Sequence, residues 1–178
     1  HIGIAEDTPS INDPIISHIF TDYSGNIWVS TLFGGVNILS AKKIDFSILL
    51  NDQNNSFRTV LNDQDGNLII GNYKEGISVI RKGSEQIIFP NKNGELPKII
   101  NTITQSKDGN YWLATSYGVY EIQKDGFPDI LNIKSYNTSN SELSGNYVRD
   151  IKYDAKRDQL WICTSLGVDM LDIKKDAI

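Results

Sequence analysis

The sequence predicts an all-β protein built from repeated four-stranded units, and three observations support this. One phrase with Asp, Gly-Asn and Trp at fixed offsets recurs along the 178 residues. Its Trp or Ile position falls at residues 28, 69, 112 and 161, so successive copies lie 41, 43 and 49 residues apart. Short runs rich in β-branched and aromatic residues lie between turn residues, without sustained helical periodicity. A period in this range indicates a modular array.

The first unit contains four candidate strands. They are Ile16–Phe20, Ile27–Thr31, Val36–Leu39 and Asp45–Leu49. Gly, Asn, Asp or Ser residues bound these runs, which is typical of antiparallel strands joined by turns. The unit is therefore predicted to be an antiparallel meander.

The turn between the first two strands carries Ser-Gly-Asn or Asp-Gly-Asn in the first three units. Gly and Asn tolerate the positive φ of tight hairpins, and the upstream Asp can accept hydrogen bonds from turn amides. The spacing of Asp63, Asp65 and Gly66 also suggests a calcium loop, but the later ligands of that motif are missing. Turn chemistry is favoured, and neither a metal nor a cofactor is predicted.

The second hairpin of each unit has constant ends and a variable tip. It begins at residue 31, 72, 115 or 164, and each copy returns at a Gly followed by Val or Ile. The tip residues between these ends differ from unit to unit, which is the pattern expected when scaffold and specificity are separated. We therefore expect ligand contacts at the tips.

The Trp or Ile column lies in the middle of the second strand of each unit. Such a position is better suited to packing between neighbouring sheets than to stacking on a ligand. The single cysteine, Cys163, lies two residues beyond Trp161 in an apolar run and is expected to be a small buried residue.

Four-stranded units of this length, arranged radially, form a β-propeller. The predicted blades span residues 15–50, 56–90, 99–136 and 147–178, the last without its outer strand. Residues 1–4 are predicted to be the outer strand of a preceding blade. Because four blades are few, we expect a fragment of a larger ring of about seven blades.

The first strand of each unit is predicted to line the central channel of the propeller. The nonapolar positions of these strands are 17–18, 58–59, 101–102 and 149–150. They are the positions expected to face water or a ligand.

Composition excludes some classes of function. The chain has 22 acidic and 17 basic residues, with 39% hydrophobic and 22% charged residues, as in ordinary globular proteins. Lys and Arg occur in pairs at most, which disfavours a nucleic-acid partner. No run approaches the roughly eighteen apolar residues of a membrane span, so contact with a membrane is expected only through other parts of a longer protein.

The pattern Asp-x-x-Gly-Asn-x-Trp-x-x-Thr, followed by Gly-Val or Gly-Ile, resembles the two-component regulator propeller repeat. The link Tyr136–Ile151 is similar to the inter-blade connection of that family. Three units depart from the pattern: Ile69 replaces Trp, Ser106 replaces the leading Asp, and residues 155–159 replace the Gly-Asn turn. These changes weaken individual copies without breaking the period.

The resemblance implies a periplasmic sensor region of a hybrid two-component histidine kinase from Bacteroidetes. Members of this family detect glycan-derived oligosaccharides and signal across the inner membrane to a phosphorelay that regulates transcription. The resemblance also implies a homodimer, with the remaining blades and downstream domains of the longer protein as further partners. Kinase activity would belong to those other parts.

The resemblance assigns no ligand residue position by position, so the site candidates come from the predicted geometry. Aromatic residues at the hairpin tips could stack on sugar rings, and polar residues of the inner strands could hold hydroxyl or acidic groups. The candidates are Phe33, Tyr73 and Tyr117 at the tips and Arg58, Asn101 and Arg149 on the inner strands. Exposed side chains without any ligand are the alternative at each position.

Two other functions stay open as alternatives. A sialidase- or lyase-like propeller enzyme would need an arginine cluster with a nucleophilic Tyr, or a His-based pair. The chain has four arginines, and its histidines are His1 and His18, so catalysis is not expected in this segment. The other alternative is a protein-interaction or dimerisation propeller without a small ligand.

Overall fold

The computed structural model describes most of the chain. It covers residues 11–39, 46–50, 56–84, 86–91, 94–129 and 132–175, with the backbone alone for 46–50. The strand predicted at residues 1–4 lies outside these ranges.

Fifteen strands lie in the described ranges, and they form four sheets. The first sheet contains β1 (Ile16–Thr21), β2 (Ile27–Thr31), β3 (Gly35–Leu39) and β4 (Phe46–Leu50). The second contains β5 (Phe57–Asn62), β6 (Leu68–Asn72), β7 (Ile77–Ile80) and β8 (Ile87–Ile88). The third contains β9 (Ile100–Gln105), β10 (Tyr111–Thr115), β11 (Gly118–Ile122) and β12 (Ile133–Tyr136). The fourth contains β13 (Val148–Asp154), β14 (Gln159–Thr164) and β15 (Val168–Asp172).

Every sheet is an antiparallel meander whose strands lie in chain order. This confirms the predicted all-β class and the propeller-blade units. Neighbouring sheets contact each other through their first strands, β1 with β5, β5 with β9, and β9 with β13. Across the part of the chain that the structure describes, no helix is long and apolar enough to cross a membrane.

Hydrophobic clusters fill the junctions between successive sheets. Ile69 is 1% exposed and packs with Ile100 and Leu113 of the third sheet. Trp112 is also 1% exposed and packs with Leu160 of the fourth sheet. Trp28 contributes to the junction between the first two sheets. The predicted role of this column in packing between blades is confirmed at these three positions.

The fourth sheet differs, because no described residue covers its outward face. Trp161 is 44% exposed there, although it occupies the same column as the buried Trp112. Cys163 lies two residues further along β14 and is half-buried. The expectation of a buried cysteine is wrong because alternate residues of a strand share a face, and this face is open.

The Asp that recurs in the first hairpin of the units is an acceptor for turn amides. Asp22 Oδ1 accepts hydrogen bonds from the amides of Ser24 and Asn26, both at 2.9 Å. Its Oδ2 accepts one from Trp28 Nε1 at 2.9 Å. Burial acts to raise the pKa of this carboxyl, but the bonds from Trp28, Asn26 and Ser24 outweigh it, so the pKa is lowered. The hydrogen bond from Trp28 to Asp22 thus connects the turn to β2, the strand that follows it.

The fourth hairpin turns without glycine, and the hydrogen bond from the Asp158 amide spans four residues rather than the three of the other copies. Asp158 adopts a φ of 60°, in the left-handed region that Gly25, Gly66 and Gly109 occupy in the other copies. The Asp158 carboxylate accepts a hydrogen bond from Tyr153 Oη at 2.8 Å and pairs with Lys107 Nζ of the third sheet at 2.7 Å. The hydrogen bond from Lys107, followed by that from Tyr153, lowers the Asp158 pKa.

Candidate ligand-binding site

One residue of each first strand lies in a β-bulge. On β1, Ile16 pairs with Thr31 and His18 with Ser30, so Ser17 is the extra residue. The pairing registers of β5, β9 and β13 shift at the equivalent places. The bulged residues are Ser17, Arg58, Asn101 and Arg149. A bulge redirects a side chain out of the regular alternation of its strand.

The four bulged residues line a single cavity of about 620 Å³. It lies where the first strands of the four sheets come together, as predicted for the channel of a propeller. The volume is in the range of natural small-molecule sites. The bulges therefore bring chemically different side chains from four equivalent positions to one place.

Hydrogen bonds between neighbouring first strands hold the bulges in position. Ser17 Oγ donates to the carbonyl of Phe57 at 2.8 Å. Arg58 Nη1 donates to Asn101 Oδ1 at 2.8 Å, and Asn101 Nδ2 donates to the carbonyl of Val148 at 2.7 Å. This chain of bonds runs from β1 to β13, so the floor of the cavity is organised without a ligand.

Arg58 connects the channel to a hairpin tip. Its guanidinium carbon lies 4.9 Å from the centroid of the Tyr73 ring, in cation–π geometry. Its Nε is buried and has no hydrogen-bond partner among the described residues. The guanidinium is thus fixed by Asn101 and Tyr73 while one donor stays unused.

The fourth sheet contributes several charges to the cavity. Arg149, Asp150 and Lys152 all line it, and the Arg149 guanidinium lies 5.7 Å from the centroid of the exposed Tyr147 ring. His18 lies opposite on β1. Burial, then the positive charge of Lys152, lowers the pKa of His18 against the opposing effect of Asp150, so its ring is neutral at neutral pH.

The predicted aromatic tips do not all meet. Tyr73 and Tyr117 line a second groove of about 450 Å³ together with Lys74, Lys98 and Ile99. Tyr73 therefore adjoins both the second groove and, through Arg58, the channel. Phe33 is 54% exposed but lines neither of these two cavities.

The ends of the second hairpins have the predicted anchoring role. Thr115 Oγ1 accepts a hydrogen bond from the amide of Tyr117 at 3.0 Å and donates one to the carbonyl of Gly118 at 2.8 Å. Thr164 makes the equivalent bonds with Leu166 and Gly167. The anchoring hydrogen bonds of these second hairpins are thus the same, while the residues at their tips differ.

The structure brings five of the six candidate residues to two adjoining cavities: Arg58, Asn101 and Arg149 to the channel, and Tyr73 and Tyr117 to the second groove. Sequence reasoning did not select Lys152 and Tyr147. For the four bulged residues the sequence does contain a signal, because each precedes its Thr or Asn anchor by 14 residues in the first three units and by 15 in the last.

Within the described ranges, no group of three or more His, Cys, Asp and Glu residues is placed to hold a metal ion. The Asp63 carboxylate, the leading residue of the suggested calcium loop, accepts hydrogen bonds from the amides of Asp65 and Asn67. It therefore acts in turn formation.

No protein-family model matches the sequence, and no curated protein sequence matches it. Among solved structures, an extracellular domain assigned to a hybrid two-component system of Bacteroides thetaiotaomicron is 29% identical, with a TM-score of 0.70. That alignment covers 93% of this chain and 22% of the other. An extracellular domain assigned to a one-component system of the same bacterium is 16% identical, with a TM-score of 0.74, over 94% of this chain and 22% of that one.

Enzymes share the fold as well. Virginiamycin B lyase of Staphylococcus aureus is 16% identical over 88% of this chain and 55% of the lyase, with a TM-score of 0.60. At that identity the likeness extends to the fold alone. The similarity to the domain of the hybrid two-component system extends to sequence. The chain is thus similar to extracellular domains assigned to Bacteroides two-component systems, which confirms the resemblance to the two-component regulator propeller repeat.

Proposed function

We propose that this chain is a ligand-sensing propeller segment in the periplasmic region of a hybrid two-component sensor histidine kinase, and that it binds glycan-derived oligosaccharides. The observation that carries the proposal is the convergence of four bulged, chemically different side chains on one cavity. Equivalent positions that serve only the scaffold would be expected to carry similar residues, whereas these carry Ser17, Arg58, Asn101 and Arg149.

The size and lining of the site suit an oligosaccharide better than a single sugar. The channel and the second groove adjoin at Tyr73, whose ring contacts Arg58 on the channel side. Tyr73 and Tyr117 are 42% and 65% exposed, so both rings can stack on sugar faces. A ligand of several residues would reach from the polar channel to these aromatic tips.

The similarity to extracellular domains of Bacteroides proteins supports the periplasmic location. The chain covers 22% of each of those two extracellular domains, so the rest of such a domain would supply further blades, and a longer protein would supply the downstream domains. In this proposal the kinase, the phosphorelay and the control of transcription lie in those parts, and the protein acts as a homodimer.

The test is a screen of the full-length sensor protein on a glycan array, followed by calorimetric titration of the oligosaccharides that bind. We expect saturable binding that Tyr73→Ala weakens by about tenfold, because one stacking ring and the support of Arg58 are lost.

Tyr23→Ala is the matched control. Tyr23 is 94% exposed in the β1–β2 hairpin, at the opposite ends of the strands from the tips, so its loss should leave the affinity unchanged. Absence of saturable carbohydrate binding by a protein that still dimerises would refute the proposal and favour a pure dimerisation propeller.

A further inference from the structure

The channel cavity carries an excess of positive charge on an acidic chain. Arg58, Arg149 and Lys152 line it against one carboxylate, Asp150, whereas the whole chain has a formal net charge of −5. Since His18 is neutral, it adds nothing to this balance at neutral pH. A concave site lined by one sign of charge concentrates ligands of the opposite sign.

None of these three cations has an ion-pair partner among the described residues. Some basic side chains elsewhere on the described surface do pair with a carboxylate, as Arg157 does with Asp154 at 2.8 Å. Arg149 has the Tyr147 ring beside it, and no carboxylate oxygen lies within salt-bridge distance of Arg149 or Lys152. Their charges are thus available to a ligand.

Arg58 is the third positively charged side chain of the cavity. Its guanidinium is held by Asn101 and Tyr73, and its buried Nε has no acceptor among the described residues. Arg58 also lines the cavity, so its guanidinium lies within reach of a ligand bound there. A fixed guanidinium matches the planar geometry of a carboxylate or the tetrahedral oxygens of a sulfate.

From these contacts we infer that the oligosaccharide ligand is anionic, and that its carboxylate or sulfate binds in the channel between Arg58 and the Arg149–Lys152 pair. The inference rests on the proposed function and narrows its ligand class. Tyr147, 42% exposed beside Arg149, and Tyr73, beside Arg58, place an aromatic face next to each guanidinium. The site thus combines charge recognition with surfaces for sugar rings.

Saturation-transfer difference spectroscopy on the full-length protein tests this with two pairs of probes. Glucuronate is compared with its methyl ester, and N-acetylglucosamine 6-sulfate with N-acetylglucosamine. In each pair the sugar ring is kept and the negative charge is removed. We expect the anionic member of at least one pair to bind about tenfold more tightly than the neutral member, and the pair that responds identifies carboxylate or sulfate as the recognised group.

The variant carrying both Arg149→Gln and Lys152→Gln should remove this preference without changing the thermal unfolding midpoint, because both side chains are exposed. The variant carrying both Lys82→Gln and Lys156→Gln makes the same charge change at two exposed positions outside the cavity, and should retain the preference. Equal loss with this control variant would mean that net charge alone is responsible, and would overturn the inference.

The remaining outcomes separate the inference from the proposed function. If the array detects neutral oligosaccharides and both members of each probe pair bind alike, the inference fails and the proposed function stands. If neither anionic probe gives a saturable signal, the inference fails as well. If no carbohydrate of any kind binds, the proposed function itself fails.

Discussion

Trp112→Ala should lower the free energy of unfolding of the 178-residue chain by about 3–5 kcal/mol, as expected for loss of a large buried aromatic side chain. Trp112 is 1% exposed and fills the junction between the third and fourth sheets. Its ring lies 5.8 Å from that of Tyr136, and Nε1 donates to Ser106 Oγ at 3.2 Å. The substitution removes this packing and leaves a cavity between two blades. Urea unfolding followed by tryptophan fluorescence measures the loss.

Trp161→Ala is the matched control, since Trp161 holds the same column in the fourth sheet but is 44% exposed. Its loss should cost about 1 kcal/mol or less, the usual range for surface positions. The account of the column as packing between blades would be contradicted if Trp112→Ala cost no more than Trp161→Ala.

Asp63→Ala should destabilise the chain by about 2–4 kcal/mol, because it leaves the buried Tyr111 hydroxyl and three partly buried turn donors without an acceptor. Asp63 is 2% exposed. Its Oδ1 accepts from the amides of Asp65 and Asn67 at 3.0 and 2.7 Å, and its Oδ2 accepts from Asn67 Nδ2 at 2.9 Å and from Tyr111 Oη at 2.7 Å. The bond to Tyr111 joins the second sheet to the third. Burial, then this hydrogen bond, raises the pKa of Tyr111, so the phenol is the donor.

Two variants isolate the sources of that loss. Tyr111→Phe removes only the bond between sheets and should cost about 1 kcal/mol. Asp22→Ala removes the equivalent turn acceptor from the first hairpin, where Trp28 is only partly buried, and should cost less than Asp63→Ala. Thermal unfolding of the three variants checks this order, and equal losses at Asp22 and Asp63 would contradict the importance of the inter-sheet bond.

Local patterns in the sequence predicted most of the fold. Strand positions and hairpins were predictable because β-branched runs and turn residues act within a few neighbours, as at Ile27–Thr31, which is observed with those same ends. The second-hairpin anchors were predictable for the same reason, because Thr115 bonds to Gly118 three residues away. The regular period of the repeated phrase then indicated which positions are equivalent in the four units.

Features that depend on contacts between strands and between sheets were not predictable. A bulge such as that at Arg58 reflects the pairing of β5 with β6, and no single residue type signals it. The replacement of Trp by Ile69 gave no indication that Asp63 would instead accept a bond from Tyr111 of the next sheet. Lys152 was not predicted as a site residue because it comes close to His18 only where the first and fourth sheets face each other across the cavity.

The most direct test of the account is hydrogen–deuterium exchange of the protein with and without an oligosaccharide that binds it, since bound segments open less often and exchange more slowly. We expect slower exchange around the bulges of β5, β9 and β13 and at the tips carrying Tyr73 and Tyr117, with no change in the Asp-Gly-Asn hairpins. Slower exchange confined to those hairpins, with the bulged strands unchanged, would show that the repeated phrase itself binds the ligand and would contradict the account.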